Sequence, residues 1–274
     1  MNIRNLAGHP MAVATRIWLR AALAAATSVS LAVFASTAGA QAINYNNHVG
    51  TTVTYQQVIE DSSTDSTPLY GSPTVTGNNM SFSPTAFAAS SSGGGVDFTD
   101  GKLQTTIVAN NTGTGAIHFI NVTEQGDYTL SGSGTSTTHV TIGAPVDLTV
   151  TEVNGVGVTP VPLPPQNLVF SPASAFDLAS NPGTLVTWTG GISINVDALL
   201  AATPDAPSGR ITAVQYVMDN SMFAQSQVGT TAMIEKSNGG FVDVAVIAAP
   251  EPSTAVLALI GSLALAWHLR RRAG

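Results

Sequence analysis

Few side chains between residues 41 and 249 have the chemistry to bind a metal ion or to catalyse a reaction. Three histidines occur there, His48, His118 and His139, and they are isolated from one another in sequence. A hydrolytic zinc site needs closely spaced histidines, as in His-Glu-x-x-His, and no stretch provides that pattern. His118 and His139 fall on strands that could be neighbours, so a convergent pair is one hypothesis. We favour single polar side chains on an exposed strand face.

Acidic side chains offer two further candidate sites. Glu60, Asp61 and Asp65 stand close together among serines and threonines, and clustered carboxylate oxygens suit calcium. Their spacing lacks the Asp-x-Asp-x-Asp-Gly pattern, which favours a solvated loop over a calcium site. For Asp97 and Asp100 we favour a role in turn formation over a metal or catalytic role, because Asp100 is followed by glycine.

Motifs for nucleophilic or nucleotide chemistry are absent from the sequence. No stretch reads Gly-x-Ser-x-Gly, and Gly101-Lys102 is followed by Leu103 instead of the serine or threonine of a phosphate-binding loop. A pair of carboxylates for glycoside cleavage needs only a spatial separation, so the sequence leaves that option open. Trp188 is the one tryptophan between residues 41 and 249; we favour core packing over an exposed platform for sugars.

Charge and cysteine content exclude several classes of function. Residues 41–249 contain three basic residues, Lys102, Arg210 and Lys236, against 15 acidic ones, a formal charge of −12. Such a surface repels phosphate backbones, which disfavours nucleic acid as a partner. The chain has no cysteine, which excludes thiol catalysis, iron–sulfur clusters and cysteine zinc sites. Stability must come from burial and hydrogen bonding, with no disulfide.

Short β-prone segments separated by turn residues must position whatever site exists. They lack a helical period between them, which predicts an all-β fold, an antiparallel, jelly-roll-like β-sandwich. We predict breaks at Ser90 to Gly95, Asp100-Gly101, Asn110 to Gly113 and Gly126-Asp127, and one helical turn capped by Asp197. The predicted strands cover residues 51–58, 74–76, 80–83, 102–109, 116–123, 135–142, 146–153, 168–170, 185–188, 192–196, 209–218, 230–236 and 240–247.

A proline-rich segment at residues 158–165 is the best candidate for an internal boundary. Four of the seven residues from Thr159 to Pro165 are prolines, which enforce an extended path and rule out a central strand. The segment is either a crossover between sheets or a linker between domains. We favour the crossover, because neither flank has enough strands for an independent core.

The N-terminal 40 residues have the pattern of a secretory signal peptide. Arg4, Arg16 and Arg20 precede an apolar run at residues 21–35. The small residues Ala38 and Ala40 then predict cleavage before Gln41. We therefore expect residues 1–40 to form a signal peptide helix; the alternative is an uncleaved anchor.

The C-terminal 25 residues combine three features. Pro250-Glu251-Pro252 is followed by an apolar run at residues 255–269 and by Arg270, Arg271 and Arg272. As a helix, the run covers about 23 Å of a hydrocarbon core of about 30 Å. Because positively charged residues are retained on the cytoplasmic side of the membrane, we expect the three arginines to remain there. We predict a transmembrane helix at 255–269 over the alternative of a buried core helix.

These three features, in this order, resemble the PEP-CTERM sorting signal of Gram-negative bacteria. The resemblance covers residues 250–274. It implies that an exosortase recognises Pro250, Glu251 and Pro252, removes the tail and passes the protein to the cell surface or the extracellular polysaccharide. It also implies an inner-membrane intermediate, with only transient contact with the membrane.

For residues 41–249 we predict a secreted β-sandwich with a structural or adhesive role and no catalysis or cofactor. One alternative is a carbohydrate-binding or calcium-dependent, lectin-like module, since jelly-roll sandwiches often bind glycans. The other is an extracellular hydrolase, which would need a cleft with convergent carboxylates.

Overall fold

The computed structural model describes residues 41–111, 115–236 and 241–248. These residues form eighteen β-strands and one short helix, α1 (Val196–Ala202). The strands are β1 (Ile43–Asn44), β2 (His48–Val49), β3 (Val53–Asp61), β4 (Thr74–Thr76), β5 (Asn79–Phe82), β6 (Ala88–Ser92), β7 (Val96–Ala109), β8 (Ile117–Gly132), β9 (His139–Gly143), β10 (Pro145–Val153), β11 (Val156–Pro162), β12 (Gln166–Asn167), β13 (Val169–Ser171), β14 (Ala175–Asp177), β15 (Gly183–Asn195), β16 (Ile211–Gln225), β17 (Thr230–Glu235) and β18 (Phe241–Ala248).

Two antiparallel sheets pack face to face as a β-sandwich. The first sheet has ten strands in the order β1-β3-β7-β16-β10-β11, with β2, β9, β12 and β14 paired alongside. The second has eight strands in the order β13-β15-β8-β18-β5-β4, with β17 on β8 and β6 on β17. Residues alternate between buried and accessible along the central strands, as expected where one face of each sheet contributes to a shared core. The predicted all-β sandwich is confirmed.

The core between the sheets is apolar and rich in aromatic side chains. Trp188 on β15 is 0 % exposed, which confirms its predicted core role. Tyr128 on β8 stacks on Phe176 of β14 with ring centroids 4.2 Å apart, a contact that joins the two sheets. Tyr55 of β3 donates a hydrogen bond of 3.0 Å to the carbonyl of Val244 on β18. Aromatic side chains from each sheet thus reach across to the other sheet.

Two predicted breaks are wrong, because the glycines that suggested them lie inside long strands. Gly101 is within β7 and Gly126 is within β8. A Cβ at Gly101 would lie 2.3 Å from a ring carbon of Phe87, and one at Gly126 would lie 2.0 Å from the carbonyl oxygen of Glu235. Glycine is required at both positions by close packing, and not by a turn.

Other element boundaries also differ from the prediction. The predicted strands at 185–188 and 192–196 merge into one strand, β15, except that Val196 begins α1. Residues 90–92 of the predicted loop belong to β6. The side chain of Asn195, not Asp197, caps α1, since its Oδ1 accepts a hydrogen bond of 2.9 Å from the backbone N–H of Ala198. Asp197 lies in the first turn of α1, after the capping residue.

The proline-rich segment forms an edge strand. β11 contains Pro160 and Pro162 and pairs with β10 at the end of the first sheet, where missing N–H donors are tolerated. β12 still pairs with β10, whereas β13 pairs with β15 of the second sheet. The chain therefore passes from one sheet to the other between Asn167 and Val169.

Candidate functional site

The structure does not bring His118 and His139 together. His118 lies on β8 of the second sheet and His139 on β9 of the first. The Nδ1 atom of His118 pairs with Oδ2 of Asp197, the residue that sequence reasoning assigned to a helix cap. His139 pairs through Nδ1 with the carbonyl of Thr137 at 3.0 Å, and its ring lies 5.5 Å from that of Phe223. The two histidines therefore form no common site.

Asp197 also borders a cavity of about 510 Å³ between α1 and the loop that follows it. Asp205 contributes a second carboxylate to the lining, and Thr203 and Ser208 contribute hydroxyl groups. The lining can donate and accept hydrogen bonds, which suits a small polar ligand. In the sequence these residues lie beyond a predicted single helical turn, and they carry no motif that would have identified the cavity.

Glu60 is the clearest correction to the acidic-site predictions. Its solvated-loop assignment is wrong, since Glu60 lies on β3 and is 0 % exposed. Its carboxylate accepts hydrogen bonds from the backbone N–H groups of Leu69, Tyr70 and Gly71 and from the hydroxyl of Tyr45. Burial, and then the bond to Glu60, raise the pKa of Tyr45. Glu60 therefore organises the loop after β3.

Asp100 forms a dense hydrogen-bond cluster and no turn, so the predicted turn role is wrong. The side chain extends from β7 and accepts hydrogen bonds from the backbone N–H and the hydroxyl of Ser63, at 2.8 and 2.6 Å, and from both groups of Thr64. Asp97, on the same strand, accepts a bond of 2.7 Å from the N–H of Ser90. Both carboxylates therefore hold neighbouring backbone in place.

The Asp100 cluster predicts a pH dependence of stability. Partial burial raises the pKa of Asp100, but the bonds from Ser63, Thr64 and Ser62 outweigh that effect and lower it from 3.8 to about 2. The stabilisation by Asp100 is therefore present above pH 3.8 and is lost as the pH falls towards 2. We expect Asp100→Asn to be less stable than the wild type at pH 5. The difference in the free energy of unfolding between the two proteins should shrink as the pH falls from 5 to 2. A difference that stays constant with pH would contradict the assignment.

Within the described residues, no group of three or more His, Asp or Glu side chains is arranged to hold a metal ion. Glu60, Asp61 and Asp65 do not converge, because the Glu60 carboxylate turns into the protein interior. Among these same residues no helix is long and apolar enough to cross a membrane.

The last described strand, β18, connects the structure to the predicted tail. β18 is an interior strand of the second sheet, paired with β8 on one side and β5 on the other. The backbone N–H of Val246 donates a hydrogen bond of 3.1 Å to the carbonyl of Asn78. The strand ends at Ala248, two residues before Pro250. β18 is thus the strand from which the chain continues into the predicted tail.

One protein family matches the chain at this junction. The description "PEP-CTERM protein-sorting motif" matches residues 248–272. The chain carries a PEP-CTERM sorting motif. The match starts at the last residue of β18 and is confined to the C-terminal segment. The PEP-CTERM motif implies that the protein is exported, processed by an exosortase and sorted to the cell surface.

The individual residues to which we assign sorting roles stay predictions. Pro250, Glu251 and Pro252 fall within the PEP-CTERM match, and so do Arg270, Arg271 and Arg272. These residues, the predicted helix at 255–269, and Ala38 and Ala40 of the predicted signal peptide all lie outside the described residues.

Comparisons over the rest of the chain give only distant similarities. No curated protein matches the chain. The enzymatically active domain of bacteriophage CBA120 tailspike protein 4 is 13% identical with a TM-score of 0.21, over 72% of this chain and 19% of that one. TmCBM61, solved with β-1,4-galactotriose, is 8% identical with a TM-score of 0.19, over 76% and 83%. The VP2 subviral particle of infectious bursal disease virus is 11% identical with a TM-score of 0.23, over 72% and 52%. At these TM-scores the similarities support no inference about function.

Proposed function

We propose that the protein is a non-enzymatic, secreted β-sandwich that an exosortase releases from the inner membrane to the cell surface or the extracellular polysaccharide. The signal peptide at residues 1–40 directs export. The helix at 255–269 then holds the chain in the membrane until processing, with Arg270 to Arg272 on the cytoplasmic side. The mature protein has a structural or adhesive role in the surface matrix of a Gram-negative bacterium.

One observation supports this proposal more than any other. The PEP-CTERM match starts at Ala248, the last residue of an interior strand. Removal of the tail beyond Ala248 would leave every pairing of β18 with β8 and β5 in place. A protein whose folded body ended within the motif would be damaged by the same cut. The position of the junction therefore suits a disposable sorting label.

The sorting role can be tested with two proline pairs of the same spacing. Pro250→Ala/Pro252→Ala alters the predicted recognition segment, whereas Pro160→Ala/Pro162→Ala alters the edge strand β11. We expect the first variant to accumulate unprocessed in the membrane fraction, with at least about a tenfold loss of surface protein, and the second to be sorted normally. Fractionation followed by immunoblotting measures both. Normal processing and surface retention of the first variant, or of a chain lacking residues 250–274, would refute the proposal.

A second candidate function rests on the cavity beside α1. Its two carboxylates and two hydroxyl groups could hydrogen-bond the hydroxyls of a neutral sugar, as in a carbohydrate-binding or calcium-dependent, lectin-like module. This function predicts binding on a glycan array, with or without calcium, that Asp205→Asn weakens. Absence of binding under both conditions would count against it.

A further inference from the structure

Four polar side chains cluster in the core between the sheets. Lys236, Glu124 and Asn220 are 0–1 % exposed, and Tyr70 is fully buried beside them. Glu124 is on β8 of the second sheet, Lys236 directly follows β17 of that sheet, and Asn220 is on β16 of the first. Buried charges are rare unless they are paired or have a function. The position of this cluster therefore requires an explanation.

Lys236 has the environment of a nucleophilic amine. Its Nζ pairs with Oε2 of Glu124 and lies 4.9 Å from the ring centroid of Phe87 and 5.9 Å from that of Tyr70. Burial lowers the pKa of Lys236, although the Glu124 carboxylate opposes this shift. A desolvated lysine can transfer its proton to a contacting carboxylate and become a neutral amine, the form that attacks carbonyl carbon.

Asn220 presents an amide carbonyl to the same core. Its Nδ2 donates a hydrogen bond of 2.9 Å to the hydroxyl of Tyr70, whose ring also faces Lys236. Tyr70 in turn donates to the carbonyl of Gly101 at 2.7 Å. Tyr70 therefore hydrogen-bonds the amide and has its ring within 5.9 Å of the amine.

Two acceptors of the cluster lack a hydrogen-bond partner among the described residues, Oδ1 of Asn220 and Oε1 of Glu124. A buried acceptor without a partner is destabilising and is uncommon in folded proteins. Glu124 also lies close to the face of β16 that carries Asn220. Tyr216 is on that face, four residues before Asn220, and burial, followed by the Glu124 charge, raises the pKa of Tyr216. The lysine, the carboxylate and the amide thus lie in one buried region of the core.

We propose that Nζ of Lys236 forms an intramolecular amide bond with Cγ of Asn220, and that Glu124 transfers the proton. Glu124 first takes a proton from the ammonium group. The neutral Nζ then attacks Cγ, forming the Nζ–Cγ bond. Glu124 donates its proton to Nδ2 and accepts one from Nζ, the Cγ–Nδ2 bond breaks, and ammonia leaves. No oxidant or other reactant is needed, and the product joins β16 of the first sheet to the end of β17 in the second.

Such a bond would give a cysteine-free exported protein a covalent link between its sheets. The chain contains no cysteine for a disulfide. A cross-link stabilises mainly by restricting the unfolded chain. The amide would also resist the reductants that break disulfides.

Cleavage at methionine tests the bond on the full, exported protein. Met222 and Met233 lie between Asn220 and Lys236, so cyanogen bromide releases these two residues on different fragments unless they are joined. We expect fragment 219–222 to be attached to the fragment that begins at Ile234, with a mass lower by one ammonia. Separate fragments would overturn the proposal. Attachment of fragment 81–218, which carries Glu124, with loss of water would also overturn it by assigning the bond to Glu124.

Two variants distinguish the chemistry from a structural effect. Glu124→Gln keeps the shape of the side chain but cannot accept the proton, and we expect at least about a tenfold drop in the joined fraction. Lys102→Arg, which replaces an exposed lysine of β7, should leave the joined fraction unchanged. A joined fraction that is unchanged in Glu124→Gln would refute the role of Glu124. If that variant does not fold, the fragment pattern of the wild-type protein still decides whether the bond exists.

Discussion

Replacing Glu60 with alanine is expected to lower the free energy of unfolding by about 3–4 kcal/mol. The substitution removes the acceptor for the backbone N–H groups of Leu69, Tyr70 and Gly71 and for the hydroxyl of Tyr45. Leu69 and Tyr70 are buried, so water cannot readily replace the carboxylate. Each buried donor left unpaired costs about 1–3 kcal/mol, partly relieved by local relaxation.

Chemical denaturation of the secreted protein measures this loss of stability. Two further variants provide comparisons for its size. Glu60→Gln keeps one acceptor oxygen but places an NH₂ group against the remaining donors, so its stability should fall between that of Glu60→Ala and the wild type. Asp147→Ala, at an exposed position of β10, should change stability by no more than about 0.5 kcal/mol. Equal stabilities for Glu60→Ala and Asp147→Ala would show that Glu60 does not organise the loop.

Gly126→Ala is expected to destabilise the sandwich by about 3 kcal/mol or more, because overpacking forces the surrounding strands apart. The added Cβ would lie 2.0 Å from the carbonyl oxygen of Glu235 and 2.4 Å from a ring carbon of Trp188. The first contact is with backbone and the second with a fully buried ring, so neither can shift without disturbing β17 or the core.

Gly157→Ala is the matched control for that prediction. Gly157 lies on the edge strand β11, and a Cβ there would meet nothing within 4 Å. Alanine at this position should leave stability unchanged or raise it by up to about 1 kcal/mol, since it reduces the freedom of the unfolded chain. Thermal unfolding of the two variants side by side measures the difference. Similar stabilities would contradict the packing described for β8.

Local sequence patterns predicted much of the fold correctly. The prediction for residues 74–76 matches β4, and that for 240–247 lies within one residue of β18 at each end. Both segments are short and β-prone, so a local pattern suffices to place them. The sorting motif was identifiable for the same reason, because its three features are contiguous in the sequence.

Features that depend on distant contacts were not predictable in this way. Asp100-Gly101 and Gly126-Asp127 have the local chemistry of turns. Their glycines are instead required by close packing against the ring of Phe87 and the backbone of Glu235, which no local pattern shows. The burial of Glu60 depends on a loop that folds back over it. The Lys236–Glu124 pair joins residues 112 positions apart, and no local pattern links them.

The C-terminal residue of the surface-released protein is the most direct test of the central proposal, that the PEP-CTERM tail is a label removed from a complete β-sandwich. Peptide mapping by mass spectrometry identifies that residue. We expect a terminus beyond Ala248, with all of β18 retained and Arg270 to Arg272 absent. A released protein that still ends at Gly274, or one cut within residues 241–248, would contradict the proposal.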